Sequence, residues 1–227
     1  MLHDKVKELP HHFWKKESGL ISMLILLCIN DFLIGPLYGS IQWVRILINL
    51  LWMLILLTGI FSLAKNRQHA LLISILPLCF VILRWILLFT QYKQLIFLDF
   101  LVGLFTMFML IGMVLIKVFE HGPVTTNRIV GSVVVYMLAG NLFCLVFQFI
   151  FMLDPSCFDI RFSSSDINTI HSGFIYFSFT TLTTTGYGDI LPVGLFTRSL
   201  VVFEQIIGVL YPVILIGRLV SLKVERG

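Results

Sequence analysis

The sequence predicts an all-α membrane protein: six transmembrane helices and one shorter, re-entrant helix. The first observation behind this is composition. The 227 residues are 58% hydrophobic and only 12% charged, about half the charged fraction of a soluble domain, and mean hydropathy is +0.99. The second is segmentation. Six apolar stretches are long enough, or nearly so, to cross about 30 Å of hydrocarbon, which takes ~20 residues of helix. The third is a seventh apolar stretch that is too short to cross and is tolerable at membrane depth only where protein surrounds it.

The six spans fall at about 19–38, 42–64, 69–90, 95–118, 126–152 and 193–222, and the short stretch at about 167–183. Polar breaks such as Lys65-Asn66-Arg67-Gln68-His69 separate them. Asp166, after Ser163-Ser164-Ser165, is suited to cap the short helix. The N-terminal stretch carries Lys5, Lys7, Lys15 and Lys16 and no apolar run with a small-residue cleavage site, so it does not read as a cleavable signal peptide. With Phe13 and Trp14 it has the character of an interfacial anchor.

Basic residues set the orientation. With the N-terminus inside, eleven lie on the inner side (Lys5, Lys7, Lys15, Lys16, Lys65, Arg67, Lys117, Arg128, Arg218, Lys223, Arg226) and four outside (Arg45, Lys93, Arg161, Arg198). This asymmetry predicts a multi-pass protein with both termini cytoplasmic, and the plasma membrane is the expected location. The loop between spans five and six then lies outside and is acidic, with Asp154, Asp159 and Asp166. An ordinary solvated loop and a cation-concentrating one both fit that charge. The net charge of +4 is no nucleic-acid signature, and the lipid bilayer is the expected surrounding partner. Cys28, Cys79 and Cys144 lie in apolar runs and read as small buried hydrophobes; Cys157 lies in a loop, and no metal-ligand spacing is present.

The chemistry sits after the short helix, in Thr183-Thr184-Thr185-Gly186-Tyr187-Gly188-Asp189. Gly186 and Gly188 lack a Cβ and can take positive φ, which lets successive carbonyls face one axis and replace the water around a cation. Thr184 adds a hydroxyl oxygen. The run resembles the selectivity filter of potassium channels, whose pattern Thr-x-x-Thr-x-Gly-Tyr-Gly is matched by Thr181, Thr184, Gly186, Tyr187 and Gly188. The resemblance covers about 124–222.

The resemblance implies stacked K+ sites on the carbonyls of Thr184, Thr185, Gly186 and Tyr187, with Gly188 closing the motif and K+ as the permeant ion rather than a cofactor. It implies that Tyr187 packs against the pore helix. It also implies that Asp189 is hydrogen-bonded from that helix, where the usual tryptophan is absent and Tyr176 is the available donor. One chain carries one filter strand, so the ring needs several chains, and the family implies a homotetramer. The implied organisation is a cytoplasmic segment 1–18, a four-helix domain 19–121 resembling a degenerate voltage sensor, and a pore domain 122–227.

In the last span Gln205, Val209, Pro212 and Ile216 share one helical face and are expected to line the cavity. Gly208 stands where the family carries a hinge glycine, and Pro212 removes the amide that would bond the Gly208 carbonyl; a gating bend, a static kink and a glycine used for close packing are all open. Glu204, twelve residues past Pro192 and so roughly 18 Å deep, is either in contact with the threonines or Ser178 behind the filter, or protonated and packed.

The fourth span has no arginine ladder: it holds Asp99 and, at its end, Lys117, while Arg84 is the one deep basic residue of the third. A charge crossing the full potential contributes ~2.3 kcal/mol per 100 mV, so weak or no voltage gating is expected. Asp31, Arg84 and Asp99 are candidates for intramembrane pairs. No regulatory domain is expected to gate the pore. A poorly selective cation channel remains open because Thr185 replaces an apolar residue, as does a non-conducting scaffold or modifying subunit. An enzyme is not expected: no Ser/His/Asp constellation or phosphate loop is present, and His121 and His171 lie near loop ends.

Overall fold

The computed structural model describes residues 18–37, 42–63, 67–90, 92–119, 125–161 and 167–224. The basic N-terminal stretch, Lys65, His121 and the Asp166 cap lie outside the described residues. The helices are α1 (Ser18–Cys28), α2 (Gln42–Leu63), α3 (Arg67–Leu87), α4 (Lys93–Phe119), α5 (Thr126–Leu153), α6 (Ile167–Leu182) and α7 (Leu195–Val224). Among the described residues, five segments are long and apolar enough to cross a membrane: Gly19–Leu37, Trp43–Ser62, Lys93–Phe119, Thr126–Leu153 and Leu195–Arg218. In α3 the apolar stretch among the described residues is Ile73–Leu87.

The first span is not a plain α-helix. Beyond Cys28 it widens into a π-helix, Ile29–Ile34, and ends in a 3-10 turn, Gly35–Leu37. Pro36 explains the change: it has no amide for the carbonyl four residues back and its ring crowds that turn. The Gly35 amide reaches the Asn30 carbonyl instead, a five-residue step.

One apolar core joins the front four helices to α5. Leu20, Met23, Leu27, Ile55, Phe80, Leu110 and Val114 pack with Val134, Leu138 and Leu142 of α5. The outward residues, such as Leu54, Ile75, Phe105 and Ile116, are exposed, as a lipid-facing surface requires. Cys79, expected inside, is also exposed. A second core of Phe143, Phe147, Phe158, Phe174, Phe177, Ile190 and Val201 ties α5, α6 and α7 together. Its rings meet edge-on, as Phe158 and Phe174 do at 5.0 Å and 73°, the arrangement aromatic quadrupoles favour.

Two short strands complete this end. β1 (Phe158–Ile160) and β2 (Ile190–Pro192) pair antiparallel, with Asp159 opposite Leu191. The Arg161 amide donates to the Asp189 carbonyl at 3.0 Å, and the Val193 amide to that of Cys157 at 2.8 Å. The loop after α5 is thereby stitched to the chain leaving the Gly-Tyr-Gly run.

Polar groups inside the helices are mostly matched. Arg84 pairs with Asp99 at 3.0 Å and lies over the Phe80 ring at 5.1 Å. Of the three candidates for intramembrane pairs, Asp31 stays outside the ion pair. Its two carboxylate oxygens accept from the side-chain amides of Asn30 and Asn141, each at 2.8 Å. The π-helical turn that carries Asp31 turns it toward α5 rather than toward Arg84.

Candidate functional site

The site is the chain from the end of α6 to β2. The amides at its start fold back on α6: Thr183 N–H donates to Phe179 O, Thr184 N–H to Thr181 O, and Thr185 N–H and Gly186 N–H both to Thr180 O, at 2.8–3.2 Å. The backbone then alternates. Thr184, Gly186 and Gly188 have φ of 58°, 54° and 80°. The left-handed glycines follow from their missing Cβ. Thr184 is the only non-glycine with positive φ among the described residues, an unfavourable state for a β-branched side chain, and nothing in its residue type announces it.

Among the described residues, no hydrogen bond is made to the carbonyls of Thr184, Thr185, Gly186 or Tyr187. Four consecutive acceptors are therefore available while the amides before them are held. Thr183 to Tyr187 are exposed on this face of the chain. The Thr183 and Thr185 hydroxyls lie 3.0 Å apart, and Thr183 also donates to the Phe179 carbonyl at 2.7 Å.

The Tyr187 ring is stacked on that of Tyr176, with centroids 6.0 Å apart and planes at 8°. The Tyr176 hydroxyl lies beside Asp189, whose carboxylate accepts from the Ile190 amide at 3.1 Å. Tyr176, Tyr187 and Asp189 thus form one contact between α6 and the run. Thr181 is buried at the inner end.

Behind the run, α7 meets α6 closely. Gly208 is the contact point: a Cβ built there would overlap the Leu182 carbonyl oxygen and lie 2.8 Å from its carbon. The same carbonyl accepts from the Tyr136 hydroxyl at 3.2 Å. Tyr136 stacks on Tyr211, whose hydroxyl donates to the Ser132 carbonyl at 2.9 Å. The helix continues unbroken through Gly208 and Pro212 to Val224.

Glu204, one turn before Gly208, is wholly buried, with Oε1 2.6 Å from the Ser178 Oγ. The face carrying Gln205, Val209, Pro212 and Ile216 stays partly or fully exposed. Sequence reasoning had Ser178 only as one of several possible neighbours of Glu204, and missed Gly140 as the third member of that contact. Two residues 26 apart on different helices leave no local pattern. Arg84 lies in the front core, away from the run. The described residues hold no cluster of His, Cys, Asp and Glu able to bind a metal ion.

The run thus combines held amides with a row of carbonyls that accept no hydrogen bond among the described residues. Residues 141–224 match a family model described as "Ion channel". The match supports an ion channel family and, with the apolar helices, a membrane-integral transport protein rather than an enzyme. No curated protein matches the chain.

Proposed function

We propose that the chain is one subunit of a homotetrameric, potassium-selective channel that conducts K+ passively. The observation that carries this is the row of unbonded carbonyls at Thr184, Thr185, Gly186 and Tyr187, set by alternating left-handed backbone at 184, 186 and 188. Carbonyls in such a row replace an ion's hydration shell when several chains meet. K+ is coordinated by Thr184 to Tyr187, with the Thr184 hydroxyl at the inner end. Tyr176, Thr181 and Asp189 support the run. Gln205, Val209, Pro212 and Ile216 line the cavity.

Fourfold assembly is supported by the open flank of the run. Tyr187 is 71% exposed and borders a cavity of about 650 Å³ lined by Phe32, Ser172, Tyr176, Phe179 and Thr183; a neighbouring subunit fills it. The sixth span is α3, and the chain crosses the plasma membrane with both termini cytoplasmic. The front domain 19–121 acts as a support for the pore domain 122–227. Arg84 is neutralised by Asp99, so voltage gating is weak or absent. Purified protein in liposomes should carry K+ flux that Gly186→Ala abolishes; no flux from the wild type refutes the proposal and favours a scaffold or modifying subunit.

The second reading is a poorly selective cation channel. It is favoured by Thr185, whose hydroxyl contacts Thr183 and puts a polar group where the resembled family carries an apolar one. Reversal potentials in mixed K+ and Na+ separate the two.

A further inference from the structure

Ser178 Oγ lies 2.6 Å from Glu204 Oε1 and 2.7 Å from the Gly140 carbonyl oxygen. Both contacts are at full O–H···O hydrogen-bond distance and each needs a hydrogen between its oxygens. Serine has one and a carbonyl has none. If Glu204 were ionised, one contact would press two lone-pair-bearing oxygens together. Its Oε2 is buried without a partner among the described residues, which is a costly place for charge and a tolerable one for the carbonyl of an acid. No Lys or Arg pairs with it among the described residues.

We infer that Glu204 is a neutral carboxylic acid and a positioning residue for the filter. It donates from Oε1 to Ser178 Oγ, and Ser178 donates to Gly140 O. The chain of bonds runs from α7 through α6 to α5. Its middle member sits six residues before Thr184, on the helix whose last carbonyls hold the filter amides. The proton is thus part of the structure that aims the filter. The titratable groups within electrostatic reach are Tyr136 and Cys144, both on α5; α6 contributes only the Ser178 hydroxyl. This inference rests on the conducting role proposed for the run.

The test uses the full chain in liposomes. Infrared difference spectra between wild type and Glu204→Gln at neutral pH should show a protonated-carboxyl C=O band, shifted to higher frequency in Ser178→Ala, which removes the acceptor. A carboxylate doublet instead, or an acid band that Ser178→Ala does not move, overturns the assignment. K+ flux should be lost in Glu204→Leu and restored in Glu204→Gln, whose amide can donate to the same oxygen; flux lost equally in both overturns the positioning role. The infrared band reads the acid whether or not the chain conducts, whereas a silent wild type fails the conduction reading alone.

Discussion

Gly208→Ala separates two accounts of the α7 glycine by the sign of its effect. As a hinge in an otherwise open helix, alanine should stabilise, since glycine inside a helix costs roughly 0.5–1 kcal/mol relative to alanine. In this structure the added Cβ meets the Leu182 backbone, 2.8 Å from the carbonyl carbon and closer still to the oxygen. Ordinary carbon contacts are about 3.5–4.0 Å, so α7 must withdraw by about 1 Å or more. That movement stretches the 2.6 Å contact of Glu204 with Ser178 to about 3.6 Å, beyond hydrogen-bond range. Overpacking costs about 1–3 kcal/mol and the lost bond about 1 kcal/mol, so a destabilisation of roughly 2–4 kcal/mol is expected. Gly217 and Gly112, where a Cβ meets nothing within 4 Å, are the controls. Thermal unfolding of detergent-solubilised protein should place Gly208→Ala well below wild type and both controls at or above it. A Gly208→Ala protein as stable as Gly217→Ala refutes the close-packing account.

Gly186→Ala should leave the fold intact, because a Cβ there meets nothing within 4 Å. Its φ of +54° costs an L-residue about 1–2 kcal/mol, so K+ flux should be abolished while thermal stability falls by about that amount, less than in Gly208→Ala. Arg84→Gln should destabilise by about 3–5 kcal/mol, because it strands the buried Asp99 carboxylate; adding Asp99→Asn should recover most of the loss in the same unfolding assay. Conductance should stay a shallow function of voltage, and a steep curve that survives Arg84→Gln contradicts the weak-sensor account. At Asp154 the Ser156 hydroxyl, then its amide and the Cys157 thiol, hold the carboxyl below its ordinary value. A depressed folded-state value means this contribution is present at neutral pH and fades as pH falls through that value. Acid titration of stability should therefore flatten in Asp154→Asn.

The helices were legible because each is a long apolar run bounded by charges. The predicted 126–152 span and the observed Thr126–Leu153 helix differ by one residue for that reason. The Gly-Tyr-Gly run was legible because glycine's conformational freedom is a property of the residue itself. Thr184 was not, since its left-handed φ is imposed by neighbours that bond α6. The β1–β2 pair escaped as well: three-residue strands have no period, and their pairing is set by where α5 and the run end. The π-helix around Asp31 had one visible cue, Pro36, whose effect on the preceding turn depends on whether the span continues past it.

Gly140 and Asn141 are adjacent on α5, yet the first accepts from the filter side through Ser178 and the second donates to Asp31 on the front side. This bears on what happens if the chain is cut between its halves. Lipid tails replace the lost Leu and Val contacts of α5 at little cost, since hydrocarbon is as apolar as they are. They offer nothing to the Asn141 amide, which retains only the Met137 carbonyl of its own helix. A pore half expressed alone would carry that amide as an adhesive spot on its outer wall, and mixing it with the separately expressed front half should reunite the two through Asp31.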